Sequence, residues 1–150
     1  MMPLIVLLAA FFLSLLLLKW IHNQFLLALA GRIAMSVMLF FTAVGHFVFT
    51  EGMALMIPSF VPFKQEMVYF TGVVEIAGAV GLLVPRLSTL TAWLLISFFI
   101  LVLPANIYAA LQHVDYQNAT VNGQGPDYLW FRIPLQFLFI IWVYLSVIRK

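Results

Sequence analysis

Between Pro3 and Leu18 the chain carries a single polar side chain, Ser14, and four later stretches are almost as apolar. No other feature narrows the fold as much. Inside a bilayer the backbone has no water to bond, so a spanning segment must be a helix or part of a closed barrel. Barrel strands alternate apolar and polar residues over about ten positions. No segment here does so, and helices are expected. Composition agrees, with 65% hydrophobic residues, 8% charged residues and a mean hydropathy of +1.14. Soluble domains average roughly 45–50% apolar and about 25% charged. The chain therefore reads as an all-α integral membrane protein, residues 1–150 forming one membrane domain in contact with the lipid bilayer. With no cysteine, disulfides, thiol redox chemistry and Cys-ligated metals fall away within this chain. A net charge of +2 without any Lys/Arg cluster gives no footing for a nucleic-acid partner.

Five spans are expected. Residues 3–21 form the first. A cleaved signal peptide is the competing reading, but no positive charge precedes the run and Lys19 follows it directly. The second span covers 28–49 and the third 66–84, joined by a loop over 50–65 that Pro58 and Pro62 punctuate. That loop is apolar enough to lie on the membrane or fold over the bundle. Pro85-Arg86 then makes a link so short that the third and fourth spans form an antiparallel hairpin. The fourth covers 87–111 and is expected to be interrupted at Pro104, which kinks the axis and frees a carbonyl one turn back that a neighbour or water must repair. Residues 112–127 are the one strongly polar stretch, a solvated loop. Its Asn118-Ala119-Thr120 triplet is a glycosylation acceptor pattern relevant only to a eukaryotic secretory route. The fifth span covers 128–148.

Lys19, Arg32, Arg86, Arg149 and Lys150 fall on one side of this five-span path. Glu51, Lys64, Glu66, Asp115 and Asp127 fall on the other. The positive-inside rule then puts the N-terminus outside and the C-terminus in the cytoplasm, which in a bacterium means a multi-pass inner (plasma) membrane protein.

The last four spans each bring polar side chains where lipid contact is costly: His46, Glu75, Asn106, and the pair Arg132 and Gln136. Counted at about 1.5 Å per residue, His46, Asn106 and Arg132 lie about four or five residues from the outer helix ends. Glu75 and Gln136 lie some eight or nine residues in, roughly 12–14 Å. All five sit in the outer half of the membrane. Arg132 and Gln136, four apart, share a face. Thr42, Gly45, Gly72, Gly78 and Ala109 flank these groups, and small residues let helices approach closely in lipid. Tyr69, Tyr108 and Tyr128 could add hydroxyls near the outer mouth or act as interfacial anchors.

Intramembrane ionisable residues are functional candidates by default. His46 and Glu75 are the candidate catalytic pair. Glu75, Asn106, Arg132, Gln136, His46 and Tyr69 are the candidate ligand-binding set. The plainer readings stay open beside these: Glu75 and Arg132 as a structural ion pair, Asn106 as a cap on the opening at Pro104, and His46 as a hydrogen-bonding core residue. No metal is expected, because neither HxxxH nor ExxH spacing occurs.

Gly45-His46-Phe47, Met56-Ile-Pro-Ser-Phe-Val-Pro62 and Tyr69-Phe-Thr-Gly-Val-Val-Glu-Ile-Ala-Gly78 follow in an order that resembles the DoxX family of small membrane proteins. Gly81-Leu-Leu-Val-Pro-Arg86, Leu103-Pro-Ala-Asn-Ile107 and Arg132-Ile-Pro-Leu-Gln136 fit the same pattern. The resemblance implies a four-helix transmembrane bundle over 28–148, to which 3–21 adds an N-terminal transmembrane helix. It also implies association with membrane redox complexes or with the assembly of membrane partners, and the motif positions coincide with His46, Glu75, Asn106, Arg132 and Gln136. No cofactor motif is evident in the chain, and quinone is the one cofactor the resemblance suggests. Three functional expectations follow. The first is a site for a quinone or lipid-like molecule, or an accessory subunit of a redox complex. The second is a quinone-linked oxidoreductase component using His46 and Glu75 for proton transfer. The third is a structural or assembly factor for membrane partners.

Overall fold

The computed structural model describes residues 1–149. Six α-helices carry the architecture: α1 (Met2–His22), α2 (Leu27–Val48), α3 (Thr50–Ala54), α4 (Lys64–Leu83), α5 (Ser88–Leu111) and α6 (Leu129–Val143). A 3-10 turn, Gly125–Tyr128, leads into α6, and a π-helical turn, Tyr144–Ile148, extends it. Taken with those turns, five helices are long and apolar enough to cross a membrane. The protein is an all-α, multi-pass integral membrane protein. Among the described residues no strand forms; the polar loop holds one isolated bridge, Asp115 to Thr120.

The arrangement follows from which faces are small and which are bulky. α2 is the central helix, packing against α1 on one side and α4 on the other, with the C-terminal end of the α6 segment also against it. Ala30, Ala34, Met35, Met38 and Leu39 point inward along α2, while Val37, Phe40, Phe41 and Val44 face out. A buried core of Leu39, Ala79, Leu82, Leu95, Phe99, Phe139 and Val143 joins α2, α4, α5 and α6. The additional helix α1 contributes Leu7 to that core and sets Phe11 edge-on against Trp142, 5.1 Å between ring centres. The outer mantle is large and apolar, as lipid contact requires: Phe12, Leu16, Phe70, Leu101 and Trp130 are all exposed.

Three features of the fold bear on the site. Thr50–Ala54 is helical rather than loop, so α3 carries the α2 path outward past a bend at Phe49. Gly52 permits this. A β-carbon there would strike the carbonyl of Tyr116, so the polar loop lies directly on α3. Secondly, the segment after α3 folds partly over the bundle, with Met56 half-buried while Phe60 and Phe63 are exposed. Thirdly, α5 runs unbroken through Pro104. The carbonyl that the proline deprives of a helical donor is that of Ile100. One residue before it, α6 braces the helix: Gln136 Nε2 donates to the carbonyl of Phe99 at 2.7 Å. Asn106 does not cap the opening; its side-chain amide donates to Gln136 Oε1.

Candidate functional site

The polar side chains inside the bundle form two groups. The first joins α2 to α4. Gly72 on α4 would place a β-carbon 3.0 Å from the β-carbon of His46, so its lack of a side chain lets α2 press His46 against that helix. His46 Nδ1 then lies 3.3 Å from Glu75 Oε2 and 3.0 Å from the carbonyl oxygen of Thr42, one turn back. A single ring N–H cannot serve two acceptors well. It is aligned with the Thr42 carbonyl, and Glu75 Oε2, fully buried, receives no hydrogen bond. Glu75 is thus an intramembrane carboxyl with an imidazole beside it and one oxygen lacking a donor.

The expected ion pair between Glu75 and Arg132 does not form; the partner of Glu75 is His46. The reason is the extra helical turn of α3. Depth measured from a helix end at Phe49 leaves His46 shallower than Glu75. With α3 included, the outer end of the α2 path is Ala54, eight residues beyond His46, or about 12 Å. That brings His46 nearer the depth of Glu75, which lies eleven residues inside the start of α4 at Lys64.

The second group joins α5 to α6 as a chain of hydrogen bonds. Gln136 Nε2 donates to the Phe99 carbonyl, and Asn106 Nδ2 donates to Gln136 Oε1 at 3.4 Å. Arg132 Nη2 donates to Asn106 Oδ1 at 3.2 Å, and Arg132 Nη1 reaches the Tyr128 hydroxyl at 3.5 Å. Asn106 and Gln136 are buried, Arg132 and Tyr128 half-buried. The four-residue spacing of Arg132 and Gln136 does put both on the face toward α5. Tyr69 stands apart. It is 44% exposed and stacks on Phe47, with ring centres 5.8 Å apart.

Sequence reading missed the roof of this second group. A small cavity of about 40 Å³ lies beside Arg132 and Asn106, enclosed by Met56, Val114, Tyr116 and Tyr128 among others. Tyr116 is held over it by an edge-on contact with Phe49, 5.9 Å between ring centres. Burial, and then the neighbouring Tyr128, push the Tyr116 phenol above its usual range, so it remains a neutral donor. The roof is shaped by Asp115, whose carboxylate accepts from the backbone N–H groups of Gln117 and Asn118 and from Asn118 Nδ2 at 2.7 Å. The one signal available in the sequence was an aromatic residue, Tyr116, set in an otherwise polar loop.

Next to that cavity, a wider and open groove of about 540 Å³ is lined by Met1, Gln124, Asp127, Tyr128 and Phe131. Gln124 and Tyr128 belong to both. The groove has the size of a small-molecule site, which runs from about 300 to 1,000 Å³. The inner cavity has room for about three waters and no more. Among the described residues no group of three or more His, Asp or Glu gathers in a way that could hold a metal ion.

A family model described as a domain of unknown function, DUF8561, matches residues 35–147, from within α2 to the end of the chain's last span, and includes all five intramembrane polar positions. No curated protein and no solved structure matches the chain.

Proposed function

We propose, on the premise that the chain belongs to the DUF8561 family, that this membrane protein holds an amphipathic, membrane-resident molecule at its outer end. The molecule's chain would lie in the groove beside Phe131 and its polar head would point toward Arg132 and Asn106. A lipid-like molecule fits this arrangement in full. A quinone fits it with its ring in the groove, because the inner cavity is too small for the ring. The observation that carries the reading is that the open groove adjoins the inner cavity, with Tyr128 and Gln124 lining both. The positive-inside bias supports placing this end outside the cytoplasm. Met1 lines the groove together with the 112–128 segment, which puts the start of α1 at the same end of the bundle. The resemblance to DoxX proteins belongs to the same proposal. It suggests that the protein acts as an accessory subunit that presents or retains such a molecule for a membrane redox partner in a bacterial plasma membrane.

The test is native mass spectrometry of the full chain extracted from its membrane. Wild type should retain a lipid or quinone adduct, and Phe131→Trp, which fills the groove, should lose it. If neither form retains an adduct, the binding reading fails. A second reading rests on one contact, the 3.3 Å approach of His46 to Glu75. It gives the pair a proton-transfer role in a quinone-linked reaction whose electron donor sits on a partner. Activity of a reconstituted complex unaltered in both His46→Ala and Glu75→Gln would remove it. The third possibility, a purely structural or assembly role, predicts that no variant in either polar group changes ligand retention.

A further inference from the structure

We infer that the head group taken by the inner cavity is a carboxylate, so that the ligand is a single-chain amphiphile with an anionic carboxyl end, of the fatty-acid class. This rests on the proposed amphiphile site and goes beyond it by assigning the charge and size of the head.

The starting point is the charge balance inside the bundle. A guanidinium does not give up its proton at any working pH, so Arg132 is a fixed cation on a spanning helix. An intramembrane charge of this kind is normally paired, or it snorkels to the interface. Arg132 has no acidic partner. The buried acid, Glu75, lies beside His46. No carboxylate approaches Arg132 to ion-pair distance among the described residues. Its head is not free in water either: Nη2 donates to Asn106, which is 4% exposed. Both acceptors that Arg132 finds, the Asn106 amide oxygen and the Tyr128 hydroxyl, are neutral, and the second is at 3.5 Å. Two of its five N–H donors are used, and none meets a negative charge.

The cavity beside it provides the complement. Its wall carries a tyrosine hydroxyl group on each of Tyr116 and Tyr128 and no acidic side chain. Arginine's planar fork matches a carboxylate with two parallel charge-assisted bonds. Size selects within the anions. A volume of about 40 Å³ accepts the few heavy atoms of a carboxylate and is cramped for a phosphate with its ester arms. The tail would lie in the adjoining groove, which shares Tyr128 and Gln124 with the cavity and is lined further by Phe131. Asp127 lines the groove and not the inner cavity, so the cavity itself offers an anion the Arg132 cation with no acid beside it. That arrangement disfavours a large polyanionic head lying across the mouth.

The experiment uses the full chain in nanodiscs of zwitterionic lipid and compares three probes by competition with a fluorescent fatty acid. Oleate has tail and charge, oleyl alcohol has the tail alone, and acetate has the charge alone. Oleate should bind about ten-fold or more tightly than oleyl alcohol, the gain expected of hydrogen bonds to a charged group, and Arg132→Gln should abolish that preference. Equal binding of oleate and oleyl alcohol by wild type would overturn the carboxylate assignment while leaving the amphiphile site standing. Acetate competing as well as oleate would overturn it too, as the mark of a free-anion site. Failure of all three probes to bind would remove the underlying site as well. A preference that survives Arg132→Gln would show that the charge is read elsewhere and refute the assignment. Should that variant not fold, the wild-type comparison of oleate with oleyl alcohol decides the matter by itself.

Discussion

Glu75 and His46 should be energetically coupled, and Glu75 and Arg132 should not. The perturbation is a pair of double-mutant cycles, His46→Ala with Glu75→Gln and Arg132→Gln with Glu75→Gln. At 3.3 Å, the unscreened attraction of two unit charges at an effective dielectric of about 20 is roughly 5 kcal/mol. Most of that is offset by the cost of keeping both groups out of water. Measured cycles between polar groups in membrane bundles average about 0.6 kcal/mol and reach about 1.7. Two features of this contact pull in opposite directions. Glu75 is buried, which strengthens the interaction. The Thr42 carbonyl competes for the same ring nitrogen at 3.0 Å, which weakens it. A coupling of about 1–1.5 kcal/mol is therefore expected for His46 and Glu75. Arg132 bonds to Asn106 and Tyr128 and makes no contact with Glu75. The second cycle should fall within about 0.5 kcal/mol of additivity. The assay is reversible unfolding in mixed micelles, or steric trapping in bicelles. A large coupling between Glu75 and Arg132, with none between Glu75 and His46, would refute both the pairing and the registration of α2 against α4 that produces it.

Gln136→Leu removes the side-chain donor to the Phe99 carbonyl and leaves Asn106 Nδ2 without its acceptor; it should cost about 1–3 kcal/mol in the same unfolding assay, and a neutral result would show that this side-chain chain does not hold α5 to α6. In Gly52→Ala the new methyl group meets the Tyr116 carbonyl. Limited proteolysis within 112–127 should then speed up while the spans stay intact, and unchanged cleavage would mean that the loop does not rest on α3. Asp115 has its pKa lowered from 3.8, first by the Asn118 side chain. A depressed carboxylate contributes order above its unfolded pKa and loses it as pH falls through the lower folded value. The Asn118 side-chain amide resonances should therefore shift to free-amide positions only on acidification below the ordinary carboxylate range. A shift completed above that range would contradict the hydrogen-bonded turn.

How much of this could be read from the chain alone differs between the two polar groups, and the difference has a physical cause. Spans, their number and the all-helical class follow from apolar length, a one-dimensional property. Arg132 and Gln136 were legible as neighbours because a four-residue spacing fixes a shared helical face wherever the helix ends. Their meeting with Asn106 followed from depth on α5 and α6, whose outer ends lie close to where the polar loop begins and stops. Glu75 and His46 were harder. Their contact depends on where α2 ends, and the run Thr50–Ala54 gives no strong helical signal: it contains Gly52 and is followed at Pro58 by a proline. Helix ends are the least certain features of any pattern reading, and a one-turn error moves a residue by about 5.4 Å. The roof over Arg132 arises from loop packing on α3, and the groove from the approach of Met1 to the 3-10 turn before α6; neither leaves a periodicity to read.

The two polar groups also divide the bundle in a way neither reveals singly. His46–Glu75 and Ser36 Oγ to the Ala79 carbonyl tie α2 to α4, and the Asn106–Gln136–Arg132 chain ties α5 to α6. Between these two pairs, among the described residues, the polar tie is at the other end of the bundle, where Trp142 Nε1 donates to the Gly31 carbonyl at 3.0 Å. The apolar core joins the pairs at the middle and inner levels, and at the outer end the polar loop rests on Gly52 and Phe49. Apolar contacts slide at low cost compared with breaking a hydrogen bond in lipid, where no water replaces the lost partner. The outer seam is therefore where the bundle can yield most readily. The cavity beside Arg132 lies at that end, lined by Met56 from the segment after α3 together with Asn106 of α5 and Arg132 of α6.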